Sequence, residues 1–316
     1  RQRLAYNLMV SGRYTEADAQ YARCLEIIEQ RGTPYLLNWV LGGLALTNHK
    51  LGHLDRAEVY YLRAREANEA LGDRTSVAWC HLSLGWLEML RGDYRRALVR
   101  CHEASEIYRE LDDAEGIGDA HAVRAEIRFR LGDWDEAREH YEIAAEIGRE
   151  HRLGELLNRA YHGLAAVCAA AGSTREARRY SEQALEIARD WSDANGVLWA
   201  LIELAALCVD EGDVPSARRH LAAATARLDP GAHYEFRARA RLLQARCASR
   251  PADAAALATE ALAVARSGGL PELEWAASSD LGAYHLAAGD TAGARRAQLQ
   301  AIEVVESLRR AVGADE

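Results

Sequence analysis

Small and apolar positions recur along this chain at a spacing too long for one helix and too regular for an ordinary domain. A glycine followed five residues later by alanine occurs at Gly12–Ala17, Gly52–Ala57, Gly92–Ala97, Gly132–Ala137, Gly172–Ala177 and Gly212–Ala217, each step being 40 residues. The seventh unit is shorter: Ser249 takes the glycine place and Ala254 the alanine place, a step of 37. The eighth follows 40 residues later as Gly289–Ala294. Two further rulers run in register with the first. Twelve residues after each turn comes a small side chain, as at Cys24, Ala64, Ala104 and Ala144. Eight before it comes leucine, as at Leu4, Leu44, Leu84, Leu164, Leu204 and Leu281.

This pattern predicts helix hairpins. The turn glycine reaches backbone angles that other residues avoid, so it ends one helix and admits the next. Where aspartate follows it, at Asp93, Asp133, Asp213 and Asp290, its side chain is placed to cap the second helix. The alanines mark close backbone approach, and leucine fills the groove opposite. One hairpin cannot bury its own apolar stripe, so neighbours must stack and share a core. First helices are expected near 1–11, 36–51, 76–91, 116–131, 156–171, 196–211, 234–248 and 272–288. Second helices are expected near 14–30, 54–71, 94–111, 134–151, 174–190, 214–228, 252–267 and 291–311. Breakers separate the hairpins at Gly32-Thr33-Pro34, Gly72-Asp73, Asp112-Asp113, Asp229-Pro230-Gly231 and Gly268-Gly269. The expectation is a single all-α domain over 1–316, with eight hairpins centred near 12, 52, 92, 132, 172, 212, 249 and 289.

The motif stands out in Leu84-Gly85…Gly92-Asp93-Tyr94…Ala97…Ala104 and in Gly132-Asp133-Trp134-Asp135-Glu136-Ala137…Tyr141…Ala144. On these residues the chain resembles the tetratricopeptide repeat family along its whole length. The resemblance implies a right-handed superhelical solenoid of antiparallel helix hairpins. The usual repeat is about 34 residues; the extra six should lengthen the helices by up to a turn. HEAT and armadillo arrays share the longer period but lack the glycine-to-alanine turn.

Composition narrows what such an array does. The net charge of −9 repels phosphate backbones, so binding of nucleic acid by this segment is not expected. No apolar run approaches the roughly 20 residues of a membrane span, and no signal peptide opens the chain. The first residue is Arg1, which suggests a piece of a longer protein. Six cysteines stand apart, without a CxxC pair, and read as small core residues of a reduced, cytoplasmic protein. No HExxH or phosphate-binding GxxxxGK[ST] occurs, and Gly116-Ile117-Gly118 lacks the third glycine and the strand of a dinucleotide loop. His81 and His121 share one phase of the repeat with Tyr161 and Leu201, a packing position. No metal, cofactor or enzymatic chemistry is expected.

The family resemblance implies that first helices line a concave groove. Mapped here, that groove would expose Trp39, Trp79 and Trp199 at one phase, with Tyr6, Leu46, Trp86, Met89 and Phe129. Beside them would lie His49, Lys50, Asp119, Glu126, Arg130, Arg159 and His162. Aromatic and arginine side chains are the usual anchors of binding surfaces. The same tryptophans also fit core positions between hairpins. Arg124 and Arg241 stand where other repeats place leucine. Either they reach into the groove, or the helix is locally rotated. The run at 165–171, Ala-Ala-Val-Cys-Ala-Ala-Ala, either admits a partner helix closely or permits tight curvature.

The expected role is that of a non-catalytic module binding a protein or peptide in the groove. Co-chaperone arrays hold a carboxylate with Lys and Asn, of which few stand at the corresponding places here. Ala301-Ile302-Glu303-Val304-Val305-Glu306-Ser307-Leu308-Arg309-Arg310 resembles the junction where such repeats precede a caspase-like CHAT protease domain in bacteria. That implies a recognition arm of a larger effector, with an adjoining domain as a second partner. The alternative is a sensor array of a bacterial transcription regulator, and a third option is a self-associating scaffold.

Overall fold

The computed structural model describes residues 2–10, 13–31, 36–228 and 233–313. Among the described residues there are sixteen α-helices and no strand. The hairpin periodicity reads directly off one unit. α7 (Ala114–Leu131) and α8 (Trp134–Glu150) are joined by Gly132 and Asp133, and residues 151–153 lead to α9 (Gly154–Ala170). Helices of 18 and 17 residues with these short links fill the 40-residue step. The turn at Gly12 and the links at 32–34 and 229–231 lie outside the described residues.

Contacts divide the chain into two compact units. The first takes in nearly all of α1 (Gln2–Val10), α2 (Tyr14–Arg31), α3 (Leu37–Lys50), α4 (Leu54–Leu71), α5 (Arg74–Leu90), α6 (Tyr94–Glu110), α7, α8 and the start of α9, up to Gly163. The second takes in the rest of α9, then α10 (Thr174–Asp190), α11 (Ala194–Asp210), α12 (Val214–Thr225), α13 (Tyr234–Arg246), α14 (Pro251–Ser267), α15 (Pro271–Ala287) and α16 (Thr291–Gly313). Successive helices pack on one another, α1 to α4 and α6 to α8 in the first unit and α10 to α16 in the second, the arrangement of stacked antiparallel hairpins.

The turn glycines adopt the left-handed conformation that the pattern demands. Gly132 has φ +86° and Gly172 φ +77°, each with open space around it, so backbone angle and not crowding selects glycine there. A second 40-residue ruler escapes the sequence pattern. Gly72, Asp112, Arg152 and Ser192 all have positive φ, and each ends a second helix. The amides that follow close the same loop: Asp113 N donates to Tyr108 O at 3.0 Å, and Asp193 N to Ala188 O at 2.8 Å. Because only the first of the four is glycine, the recurrence is invisible in residue type.

Capping follows the aspartates only in part. Asp213 accepts from Ser216 N at 3.1 Å and Asp290 from Gly293 N at 2.8 Å. Asp133 instead pairs with Arg128 at 3.0 Å. Asp73, Asp113 and Asp193 cap first helices, accepting from Ser76 N, Gly116 N and Asn195 N.

Two interfaces from a second helix to the next first helix are built by size compensation. A Cβ on Gly43 would lie 2.4 Å from the Tyr21 ring, and one on Gly163 would lie 2.0 Å from the Tyr141 ring. Ser181 Oγ and Glu203 Oε2, 3.3 Å apart, hold the corresponding places in the second unit. At these two interfaces a large ring stands against glycine; at the same place Tyr61 hydrogen-bonds Ser83, and where the ring is absent a larger side chain returns. Gly116 lies under the Tyr108 ring and Gly118 under Leu156, which gives both glycines a packing role. All six cysteines are buried and form no disulfide, as expected of core residues. Arg241 is partly exposed and pairs with Glu260 at 3.1 Å, so it leaves the seam that its place on the ruler suggests.

Candidate functional site

The first helices present two phases of side chains at which a partner could be held. Trp39 opens one of them on α3 and is 67% exposed. At the same phase, Trp79 on α5 is half-buried; its ring meets Tyr61 edge-on at 5.4 Å and lies over Gly42, where a Cβ would come within 3.4 Å. Asp119 on α7 and Arg159 on α9 follow, joined across successive hairpins by an ion pair of 3.0 Å with both side chains partly exposed. In the second unit, Trp199 on α11 occupies this phase. Phe236 meets it edge-on at 5.2 Å and the Arg239 guanidinium lies 5.1 Å from its ring. Both readings of the tryptophans are therefore realised in part: each of these rings after Trp39 contacts a neighbouring hairpin and keeps some exposure.

The other phase carries Tyr6, Leu46, Trp86 and Glu126. Tyr6 is exposed, and Leu46, Trp86 and Phe129 are half-buried. Glu126 accepts from Arg130 Nε at 2.8 Å and from the Tyr141 hydroxyl at 2.7 Å. The Glu126 and Arg130 side chains are only 17% and 9% exposed, so they form a held pair and not a free charge. His49 is half-buried at the end of α3; burial and the adjacent Lys50 lower its imidazole to about 3, so it is neutral near pH 7.

Two expected groove residues lie in the interior. Met89 is fully buried among Ala78, Leu82, Val123 and Ile127, and His162 is buried on α9. The repeat phase locates a side chain on its helix but not how far the next hairpin covers it. The groove expectation is corrected for these two side chains.

The structure adds polar links that residue spacing does not reveal. His81 Nδ1 lies 2.7 Å from Glu103, and His121 Nδ1 lies 3.0 Å from His140 Nδ1, each pair joining the two helices of one hairpin. This phase therefore carries hydrogen bonds as well as packing. Burial, then the neighbouring His140, Arg124 and Arg109, lower His121 to about 4; burial and Arg124 also lower His140. Asn38 donates to Asn68 at 2.8 Å, and Asn68 faces the Cys80 sulfur at 3.8 Å, all buried. Burial pushes the Cys80 thiol up to about 12, which leaves it a weak nucleophile. No signal in the sequence marks these pairs, because their partners do not recur at the 40-residue step.

Among the described residues, no three His, Cys, Asp or Glu side chains come together in a way that would hold a metal ion. None of the described helices is long and apolar enough to cross a membrane. What the first-helix face offers chemically is aromatic surface, paired charges of both signs and a rigid helical frame.

Comparison with known proteins agrees with the hairpin architecture. The tetratricopeptide repeat family model matches residues 117–190 and 156–229. No curated protein sequence matches the chain. Among solved structures, the chain is similar to a Rap protein complexed with competence and sporulation factor, at 15% identity and a TM-score of 0.74, over 94% of this chain and 81% of that one. It is similar to the Rap conjugation gene regulator of plasmid pLS20 in complex with the Phr* peptide, at 16% identity and a TM-score of 0.71, over 88% and 78%. It is also similar to the apo form of the quorum sensor NprR from B. thuringiensis, at 15% identity and a TM-score of 0.62, over 96% and 86%. Identities this low define the fold: stacked helix hairpins of the tetratricopeptide type, matched by sequence over the central repeats.

Proposed function

We propose that this chain is a non-catalytic repeat module that binds a short peptide or extended protein segment along its first-helix face, acting as the sensor arm of a regulator. The observation that carries the reading is the phase running Trp39, Trp79, Asp119 and Arg159. It sets exposed and half-exposed aromatic surface beside a partly exposed ion pair, on consecutive first helices. Aromatic rings supply contact area at low entropic cost, and arginine recognises carboxylates or backbone carbonyls. Helices hold such groups more rigidly than loops do. Two structures of similar fold are complexes with the Phr* peptide or with competence and sporulation factor, and a third is a quorum sensor; this favours a sensor over a protease-recruiting arm. A cytoplasmic location agrees with six buried cysteines that form no disulfide. The open reading frame on both sides of the segment distinguishes a CHAT-type protease neighbour from a DNA-binding one.

The test is a binding screen of the purified segment against a library of short unstructured peptides, read by calorimetry. Arg159→Ala and Trp39→Ala, with helicity checked by circular dichroism, should each weaken the selected peptide by roughly tenfold or more. Equal affinity in both variants would place the site elsewhere.

A further inference from the structure

Two successive hairpins of the second unit differ at one charge. On α10, Arg178 reaches across to the following hairpin, where its guanidinium meets Glu211 at 2.5 Å and lies 3.8 Å from the Cys208 sulfur. Glu211 is the residue before the turn glycine Gly212. Forty residues on, Arg218 stands at the same place on α12 and reaches the following hairpin in the same way. There the residue before Ser249, which holds the turn place, is Ala248. With no carboxylate at that place, the Arg218 guanidinium donates to the Cys247 backbone carbonyl at 2.8 Å.

No neighbouring acid makes good the loss. α12 contains no acidic residue. The three carboxylates of α13 and α14 belong to other arginines: Glu235 to Arg239 at 3.0 Å, Asp253 to Arg250 at 2.7 Å and Glu260 to Arg241 at 3.1 Å. Among the described residues, Arg218 pairs with no carboxylate.

The shortened repeat also holds space beside this arginine. α12 and α13 are 12 and 13 residues long, against 17 for α10, α11 and α14. Between α12, α13 and α14 lies a cavity of about 380 Å³, within the size range of small-ligand sites. Arg218 lines it together with Leu221, Ala248 and Leu257, which supply aliphatic wall, and with Gln244. Arg241 engages the Gln244 side-chain oxygen at 2.9 Å, so the amide NH2 is left to donate. The cavity thus sets two donors, one of them cationic, beside apolar surface.

We propose that this cavity binds a small aliphatic carboxylate. Its anionic head takes at Arg218 the part that Glu211 takes at Arg178, and its chain lies along Leu221 and Leu257. A carboxylate accepts two charge-assisted hydrogen bonds from one guanidinium, which a backbone carbonyl cannot do. The volume suits a chain of medium length, such as that of octanoate. The site shares no residue with the first-helix phase proposed to hold a peptide.

Calorimetric titration of the segment with octanoate tests this, with octanol and butyrate as controls that lack the charge and the long chain. Octanoate should bind roughly tenfold or more tighter than either control. Arg218→Gln should weaken octanoate by roughly the same factor and remove its advantage over octanol. Ala248→Glu puts in place the carboxylate that Glu211 supplies one hairpin earlier. It should block octanoate while leaving the melting midpoint unchanged or raised, and circular dichroism verifies helicity in both variants. An unaltered segment that does not bind octanoate at millimolar concentration, or that binds octanol equally well, would overturn the proposal. So would octanoate binding that survives both substitutions, which would mean adventitious attachment to apolar surface.

Discussion

α10 and α11 lie next to each other, have the same length of 17 residues, and have almost opposite compositions. α10 reads TREARRYSEQALEIARD and buries five residues along one stripe; α11 reads ANGVLWALIELAALCVD and buries nine. The difference is positional. A second helix keeps one side open to solvent, so charge collects there and apolar residues keep to a stripe. A first helix is flanked by second helices on both sides, so small and apolar residues occupy most of its circumference. The same contrast holds in the first unit, where α6 is rich in Arg and Glu and α5 carries only Arg74 and Glu88. Under the proposed function, recognition would fall to the first helices, whose few polar and aromatic side chains stand out against a buried apolar background.

Several substitutions sharpen or break this contrast. The largest effect should come from overfilling a first helix. Gly163→Val places a branched side chain into the Tyr141 ring, where even a Cβ would sit at 2.0 Å, and should cost about 3 kcal/mol in chemical denaturation. A loss below 1 kcal/mol would mean that the interface is looser than its geometry implies.

The next effect is a pH dependence across the hairpin. Unfolded His121 takes up its proton near 6.5, whereas in the fold burial and the neighbouring His140, Arg124 and Arg109 delay uptake to about 4. Between these values the unfolded chain binds the proton that the folded chain refuses. The full shift corresponds to about 3 kcal/mol, which partial exposure screens to about 2 kcal/mol; stability should fall by that amount as the pH drops through this window, and His121→Gln should flatten the fall. A variant as acid-sensitive as the unaltered chain would assign the loss to other groups.

A smaller loss, about 1 kcal/mol, is expected for Gly172→Ala, where space is open but φ is +77°. The smallest belongs to the open side of the second helices. Arg63 and Glu29, 2.7 Å apart, are both substantially exposed, so Arg63→Ala should change the melting midpoint very little, by less than about 0.5 kcal/mol.

Much of the hairpin plan is legible in the sequence because glycine, alanine and leucine are selected for geometry that repeats. The turn at Gly132, the core place of Ala144 and the burial of Cys101 all follow from phase alone. Where the same geometry is met by different residues, as at Asp112, Arg152 and Ser192, the pattern disappears although the backbone repeats. The candidate site is legible only as a set of phases. Trp39 and Arg159 stand at their expected places with some exposure, but the burial of Met89 and His162 depends on how closely neighbouring hairpins approach. The pairing of Glu126 with both Arg130 and Tyr141 depends on side-chain direction across two helices, which spacing along one helix does not encode.

The seven tryptophans allow the central claim to be tested directly, because they sample both helix layers. Trp39, Trp79 and Trp86 stand on first helices, whereas exposed Trp134 begins a second helix and exposed Trp191 ends one. Fluorine NMR of the segment labelled with 5-fluorotryptophan, each resonance assigned by single Trp→Phe replacement, would follow all of them as the selected peptide is added. The account predicts that Trp39, Trp79 and Trp86 shift in proportion to occupancy while Trp134 and Trp191 stay fixed. Shifts confined to Trp134 and Trp191 would contradict it and move recognition to the second helices.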